Sequence, residues 1–508
     1  MISAQLRNKA NEFLNSRKHA NNLADILQMF QSEADNYTPL LLTIEIIFTE
    51  LLKRGDLREE IIPLKVKDST PESQYRSWLR ECYETAWRGS LQCMSVGGGS
   101  CRLQALVTCC KLLQAEGKFP LEPNSGYPFP VTRLKNIFTK LVDHENSMST
   151  AITRFQEFCE YRDMQQYGLK VLSSPAFFQK DPSSKYMQNY LELLDKLLCL
   201  EIEDVKKSKG RAKGNEDDDI QSNDKVLCQV EGVNFSSNPS MSRRFANRAW
   251  SCACRWPLMK DSRTHRRALL LLIEKLLPLL NKPQLTTDML CDSLDAGGPI
   301  SMLALQGVLE LVRRHNMDYP EIYDRLYSMF EPEIFVTRYK KRLMHVADIF
   351  LSSTHLPETL VAAFAKRLSR LSLMANPEDA VGLLELVANL LKRHPGLKSM
   401  ICYTDSRAIM SNDPYLMEES SAISSHAATS SLWEVAALSR HWAPPLSAAA
   451  TAVLTPPGST RPTPPPPTDL YDAELRRHFK NIEMTFFRPQ GMSLENGERL
   501  LQHWDLIG

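Results

Sequence analysis

Val96-Gly-Gly-Gly-Ser100 precedes an apolar run beginning at Leu103. Glycine backbones at the start of a helix can cradle an anion. A phosphate loop also needs a lysine-serine/threonine pair and a preceding strand; neither is present, so the triplet reads as a flexible connector. His345 and Asp348 lie one turn apart, with Lys341 four residues before the histidine, a spacing that suits a general acid/base pair. They fall opposite the apolar stripe of Tyr339, Leu343, Val346, Ala347 and Phe350, where solvated charge is expected. His355 and His394 flank proline-marked helix ends and read as capping or packing residues. Cys252-Ala-Cys254 supplies two thiols, whereas a tetrahedral metal site needs about four ligands. No second CxC, CxxC or HxxxH pair accompanies them. No GxSxG, HExxH or Cys-His signature occurs, so we expect no enzyme, no metal and no cofactor.

Binding chemistry leaves more to weigh. Basic clusters stand at Arg243-Arg244, Arg263 to Arg267, Arg338 to Arg342 and Lys366-Arg367-Arg370. From 301 to 400 there are 13 Lys/Arg against 11 Asp/Glu, too small a surplus for a basic platform, and no RNA-recognition aromatic motif accompanies it. Solvated helix faces are the default reading. Tyr319, Tyr323, Tyr327, Phe330 and Phe335 form an aromatic set bracketed by Pro320 and Pro332. Core packing is the commoner role of such a stripe, but aromatic and arginine patches also anchor interfaces. Trp433 follows a Ser/Ala/Thr stretch and either clamps a returning segment or is ordered by a partner. Tyr319, Tyr323, Tyr327, Phe330, Arg393 and Trp433 are therefore the candidate partner-binding residues.

The elements that position these residues are helices throughout. A chain of 508 residues suggests about two to four domains or an extended helical array. Its net charge of +1, from 61 basic and 60 acidic side chains, gives no global attraction to nucleic acid. Most of the twelve cysteines are scattered, Cys159 and Cys199 among apolar residues, as expected of free thiols in a reducing compartment, cytosol or nucleus. No signal-peptide pattern opens the chain. Ala268 to Leu280 is shorter than the roughly 20 apolar residues of a membrane span and contains Glu274, Lys275 and Pro278; it reads as a buried helix. Thr38-Pro39, a stripe from Leu41 to Leu52 and then Gly55 predict a helix capped by threonine and closed by glycine. Similar patterns span 75–94, 103–113, 131–142, 151–172 and 185–200. Helix pairs without strands argue for an all-α, irregular HEAT-like α-solenoid with disordered linkers, although no repeat of fixed period is legible.

Composition divides the chain into an N-terminal helical domain (1–204), a charged flexible linker (205–240), a second helical domain (241–453), a proline-rich linker (454–468) and a C-terminal segment (469–508). Within the first linker, Lys206, Lys207, Lys209, Arg211 and Lys213 have the density of a nuclear-localisation element; a merely solvated loop fits equally. The helices at 300–313 and 378–393 are apolar almost all round, leaving narrow strips at Gln306, Glu310, Arg313 and at Glu385, Asn389, Lys392. Such helices must be covered on several sides, and we expect a companion chain to help cover them. The helix near 360–375 is amphipathic, with Val361, Phe364, Leu368 and Leu371 inward and Lys366 and Arg370 opposite. Asn376-Pro-Glu-Asp379 and Lys392-Arg-His-Pro395 punctuate the ends of the following helix.

Asp295-Ala-Gly-Gly-Pro-Ile-Ser-Met-Leu-Ala-Leu305, Asp318-Tyr-Pro320, His355-Leu-Pro357, Ala362-Ala-Phe364, Lys366-Arg-Leu-Ser-Arg-Leu371, Asn389-Leu-Leu-Lys-Arg-His-Pro395, Asp413-Pro-Tyr415 and Ser430-Ser-Leu-Trp-Glu434 follow in this order. In order and spacing they resemble the CCAAT-binding-factor-type domain of the nucleolar complex proteins, in the branch of nucleolar complex protein four. The resemblance covers about Ala268 to Trp442. It implies a nucleolar, non-enzymatic subunit of the small-subunit processome that pairs with nucleolar protein fourteen, supports 18S rRNA maturation and 40S subunit assembly and export, and reaches pre-rRNA mainly through its partner. Departures stand at Glu418-Glu-Ser-Ser-Ala-Ile423, at His441-Trp-Ala-Pro-Pro445 and at 448–467, which reads as a low-complexity insertion. The alternatives are a large-subunit nucleolar complex factor and, disfavoured by charge and by the absence of a recognition-helix motif, a DNA-binding transcription factor.

Overall fold

The computed structural model describes residues 2–30, 37–58, 71–122, 126–143, 147–198, 225–229, 235–258, 261–315, 319, 321–353, 355–401 and 413–455. The candidate localisation residues Lys206, Lys207, Lys209, Arg211 and Lys213, most of the proline-rich linker and the C-terminal segment lie outside them. The described residues are helical, with no strand among them, and the chain divides into two compact units between Pro283 and Gln284. No helix among them is long and apolar enough to cross a membrane.

The first unit runs through α1 (Ile2–Asn15), α2 (Asn21–Gln28), α3 (Thr38–Arg54), α4 (Pro71–Val96), α5 (Gly99–Lys118), α6 (Val131–Val142), α7 (Ser149–Phe155), α8 (Arg162–Leu172) and α9 (Ser184–Leu197). Helices pack on near neighbours in sequence: α3 and α4 on α5, α5 on α7, α6 on α8, α7 on α9. This is solenoid packing, in which each helix buries a face against the next ones along the chain. α3 begins at Thr38 rather than being capped by it, and closes on Gly55 at φ 78°, the left-handed exit expected. The glycine triplet is no slack connector. Gly98 caps α5, and a Cβ on Gly97 would meet the Cys93 carbonyl at 2.5 Å, so the turn needs a bare backbone there. The helix expected over 151–172 is interrupted by a 3-10 turn at Gln156–Glu160.

α10 (Pro239–Ala253) and α11 (Ser262–Leu271) belong to this first unit, not to a domain starting at 241. α10 packs on α8 and α11 on α9, and the Trp256 indole donates to the Gln179 carbonyl at 3.0 Å. Part of the expected flexible linker is also tied down. The Leu227 and Cys228 amides donate to the buried Asp163 carboxylate at 3.0 and 2.9 Å, and Tyr127 donates its hydroxyl to it at 2.7 Å. Leu227 and Cys228 are buried.

The second unit comprises α12 (Thr287–Asp295), α13 (Gly298–His315), α14 (Ile322–Ser328), α15 (Lys340–Phe350), α16 (Glu358–Ser372), α17 (Pro377–Arg393), α18 (Trp433–Leu438) and α19 (Pro444–Leu454). The two apolar helices do not call on a companion chain. Met302, Leu303, Leu305, Val308 and Leu311 of α13 are buried within this unit, where α12 and α15 pack on it. Leu383, Leu384, Leu386, Val387 and Leu390 of α17 are likewise buried, between α16 and α19. α19 lies partly in the stretch read as insertion, yet it buries Leu446, Ala449, Ala450 and Val453. Proline at its start and alanines along it are good helix material, and small side chains let it approach α17 closely.

The pinned segment at 227–228 gives a sign-reversed glycine effect. A mid-helix Gly→Ala change ordinarily stabilises by about 1 kcal/mol. A Cβ on Gly117 would meet Cys228 Sγ at 2.2 Å. Gly117→Ala should therefore destabilise the first unit by about 1–3 kcal/mol, with accelerated amide hydrogen exchange at Leu227 and Cys228. A urea midpoint raised above wild type would refute the tie.

Candidate functional site

The last family-like motifs meet on one face of α16. Lys366, expected on a solvated face, is fully buried. Its ammonium lies 2.8 Å from Asp413 Oδ2 and 2.7 Å from Glu434 Oε1, and donates to the Ser431 carbonyl at 2.6 Å. One turn on, Arg370 lies 2.7 Å from Asp413 Oδ2 and 3.0 Å from Glu434 Oε1. Two cations thus face two carboxylates, and the cluster is formally neutral. Arg367, between them in sequence, donates to the Phe330 and Met417 carbonyls at 2.7 and 3.1 Å, and its guanidinium lies 4.4 Å from the Tyr327 ring centre.

Apart from Pro414, each residue of the two motifs has a task in this latch. Ser430 donates its hydroxyl to Asp413 at 2.5 Å and the Trp433 indole donates at 2.8 Å. The Leu432 amide donates to the Met400 carbonyl at 2.9 Å. Tyr415 and Tyr327 join hydroxyls at 2.9 Å. Burial works against charge on Asp413, but hydrogen bonds from Lys366, Ser430, Trp433 and the Tyr415 amide outweigh it and hold the carboxyl well below its ordinary value. Glu434 goes the other way: burial lifts it above its ordinary value, and Lys366, a backbone amide and Arg370 only partly offset that. The latch presents the Trp433 ring at the surface, 43% exposed, with the Arg370 guanidinium 4.9 Å from its centre.

Comparison with known proteins places this latch inside a family domain. Residues 301–450 match the CBF/Mak21 family, and residues 3–181 match the TPR repeats of nucleolar complex protein 4-like proteins. Nucleolar complex protein 4 homolog B of Xenopus laevis is 30% identical over 96% of this chain and 93% of its own length. The chain belongs to the nucleolar complex protein 4 family. The zebrafish (Danio rerio) homolog is 31% identical over 89% of this chain and 85% of its own, and the human homolog 29% over 97% and 96%. Membership gives a nucleolar location and a role in ribosome biogenesis. The TPR match bears out the α-solenoid and names a repeat whose period was not legible: helices ranging from 26 residues in α4 to 7 in α7 hide any fixed period from sequence inspection.

Within this family frame the expected partner-binding residues separate. Tyr327 and Phe330 are buried, each edge-on to Phe364, and are core rather than surface. Tyr323 is half-buried, edge-on to Phe350 at 6.2 Å. Tyr319 is half-buried and donates to Thr287 at 3.2 Å. Arg393 is committed to Asp348 at 2.8 Å, which takes that aspartate out of any pairing with exposed His345. His394 is buried and His355 exposed. Cys254 is exposed and Cys252 half-buried; no group of three or more metal-ligating side chains forms among the described residues. Only Trp433 of the set joins the latch at an exposed position. Lys366, Arg367, Asp413 and Glu434 went unassigned as site residues, although two acids inside recognised motifs with no cation assigned to them were the available signal.

Removing one partner of a buried charge pair costs about 3–5 kcal/mol. Lys366→Met should therefore lower the stability of the second unit by that amount, and Lys366→Met/Glu434→Leu should recover part of it, as read by urea unfolding. Asp413 has a lowered folded-state value, so its contribution is present above the ordinary carboxylate range and is lost as pH falls below it. The stability gap between wild type and Asp413→Asn should accordingly narrow from about pH 5 to about pH 2. A gap independent of pH would remove Asp413 from the charged latch.

Proposed function

We propose that this chain is a non-enzymatic scaffold of the small-subunit processome that pairs with nucleolar protein fourteen and serves 18S rRNA maturation and 40S subunit assembly and export. The observation that carries this reading is the similarity along 96% of the chain to a nucleolar complex protein 4 homolog. The latch supports it: its charges are internally neutralised and its carboxylates occupied, which suits a rigid mount for an interface ring and not a reacting centre. The apolar helices no longer argue for a partner, since the chain covers them itself. The exposed rings Trp433 and Trp442, 43% and 83% exposed, take their place as the anchors a partner would cover.

Affinity purification of the tagged full chain from RNase-treated extract should recover nucleolar protein fourteen. Trp442→Ala should lower the yield about tenfold, the loss expected of one interface anchor worth roughly 1.4 kcal/mol, and depletion of the chain should lower 18S rRNA selectively. Recovery of large-subunit assembly proteins instead, with loss of large-subunit rRNA, would overturn the small-subunit assignment.

A further inference from the structure

The stretch between the two family matches carries a charge excess that the chain's near-neutral total conceals. From Phe235 to Pro283 there are ten Lys/Arg and two Asp/Glu. Of those two acids, Asp261 is occupied as the cap of α11, accepting from the Arg263 and Thr264 amides, the Thr264 hydroxyl and Gln188. Some of the cations are structural. Arg243 donates to the Leu279 and Leu280 carbonyls, Arg267 pairs with Glu192 at 3.0 Å and Lys275 with Asp195 at 2.7 Å.

Five arginines are not spent in this way. α10 contains no acidic residue and buries Ser242, Ala246, Ala249, Trp250 and Ala253. Arg244 and Arg248, one turn apart, stand exposed on the other side, and Arg255 is exposed just past the helix end. Burial pushes the Cys252 thiol up while Arg255 and Arg248 both pull it down, so the two guanidinium groups act on one neighbourhood. On α11, Thr264 and His265 face inward and Arg263 and Arg266 are exposed. Among the described residues, none of these five guanidinium groups makes a side-chain hydrogen bond or ion pair.

We propose that Arg244, Arg248 and Arg255 form a docking surface for the phosphate backbone of folded RNA, to which Arg263 and Arg266 of the following helix add positive charge. Like charges gathered without counter-charge repel one another and favour a polyanion. All five are arginines, whose planar forks match phosphate oxygens in pairs, whereas a merely solubilising surface has no need of that geometry. Of the aromatic rings of this stretch, Trp250 and Trp256 are buried and Phe235 and Phe245 half-buried, so none stands open as a platform for stacking bases. Backbone contact without sequence readout follows. RNA is the polyanion that a nucleolar ribosome-biogenesis protein meets in bulk, and it is favoured here over an acidic polypeptide. The surface lies outside both family matches and does not depend on the identity of the protein partner.

The test uses the full chain and a fluorescein-labelled RNA hairpin, with anisotropy followed across a salt series. Arg244→Glu/Arg248→Glu/Arg255→Glu should weaken binding by at least about tenfold at ~0.15 M salt and lower the log–log salt slope by about two to three. The thermal midpoint should stay unchanged, and the milder Arg→Gln triple should show the same direction if the charge reversal disturbs folding. The charge reversal Arg338→Glu/Arg342→Glu, at exposed positions of the second unit, should leave affinity within about twofold, because those residues are not part of the docking surface. The proposal is overturned by wild-type chain that does not bind the hairpin, by a triple variant with unaltered affinity and slope, or by poly-glutamate displacing the RNA at equal charge concentration.

Discussion

A lysine ammonium held away from water between two carboxylates is the constraint on which the second unit depends. Moving such a charge out of water is strongly unfavourable unless partners are fixed around it. Those partners, Asp413 and Glu434, come from a segment that begins more than forty residues after Lys366. α16 therefore cannot complete its polar face until the chain has passed through α17 and returned. The returning segment brings the Leu432 amide to Met400 and starts α18, after which α19 closes over α17. One ionic cluster thus ties the segment that leads into the last helices back to α16.

The first unit solves a similar problem with different residues. Arg133 lies between Glu84 and Glu116, with its guanidinium 5.0 Å from the ring centres of both Tyr83 and Trp87. Asp163 gathers two amides and a tyrosine hydroxyl to hold the segment at 227–228. Apolar burial gives each helix pair its adhesion but is non-directional. Buried polar ties specify which of several similar greasy faces meet, because an unmatched charge or amide is costly. In an array whose helices differ so much in length, that specificity replaces the register a strict repeat would impose.

These ties bear on function. The proposed scaffold role asks for surfaces in fixed positions, and the latch holds the Trp433 ring against Arg370 while leaving it accessible. The stripe on α10 is the complementary case: its cations are left uncommitted, although neighbouring Arg243, Arg267 and Lys275 show that the fold can engage such groups internally. Charge that the fold neutralises serves architecture; charge that it leaves open is available to a partner.

Much of the helical layout was legible in the residues themselves. The helix over Val131–Val142 follows directly from its apolar spacing, and Gly55 stops α3 because an L-residue resists the left-handed conformation there. The family motifs were legible too, since they are contiguous strings. Their purpose was not. Lys366 reads as solvated because periodicity reports only which face of a helix is polar, and the acids that bury that face lie 47 and 68 residues onward. Tyr327 and Phe330 read as possible anchors until Phe364 and Tyr415 close around them. The two greasy helices asked for cover, and only the packed chain revealed that α12, α15, α16 and α19 provide it. Local order is written in spacing along the chain; which distant groups neutralise or cover one another is decided by tertiary contact, where the desolvation of charge and apolar surface is felt.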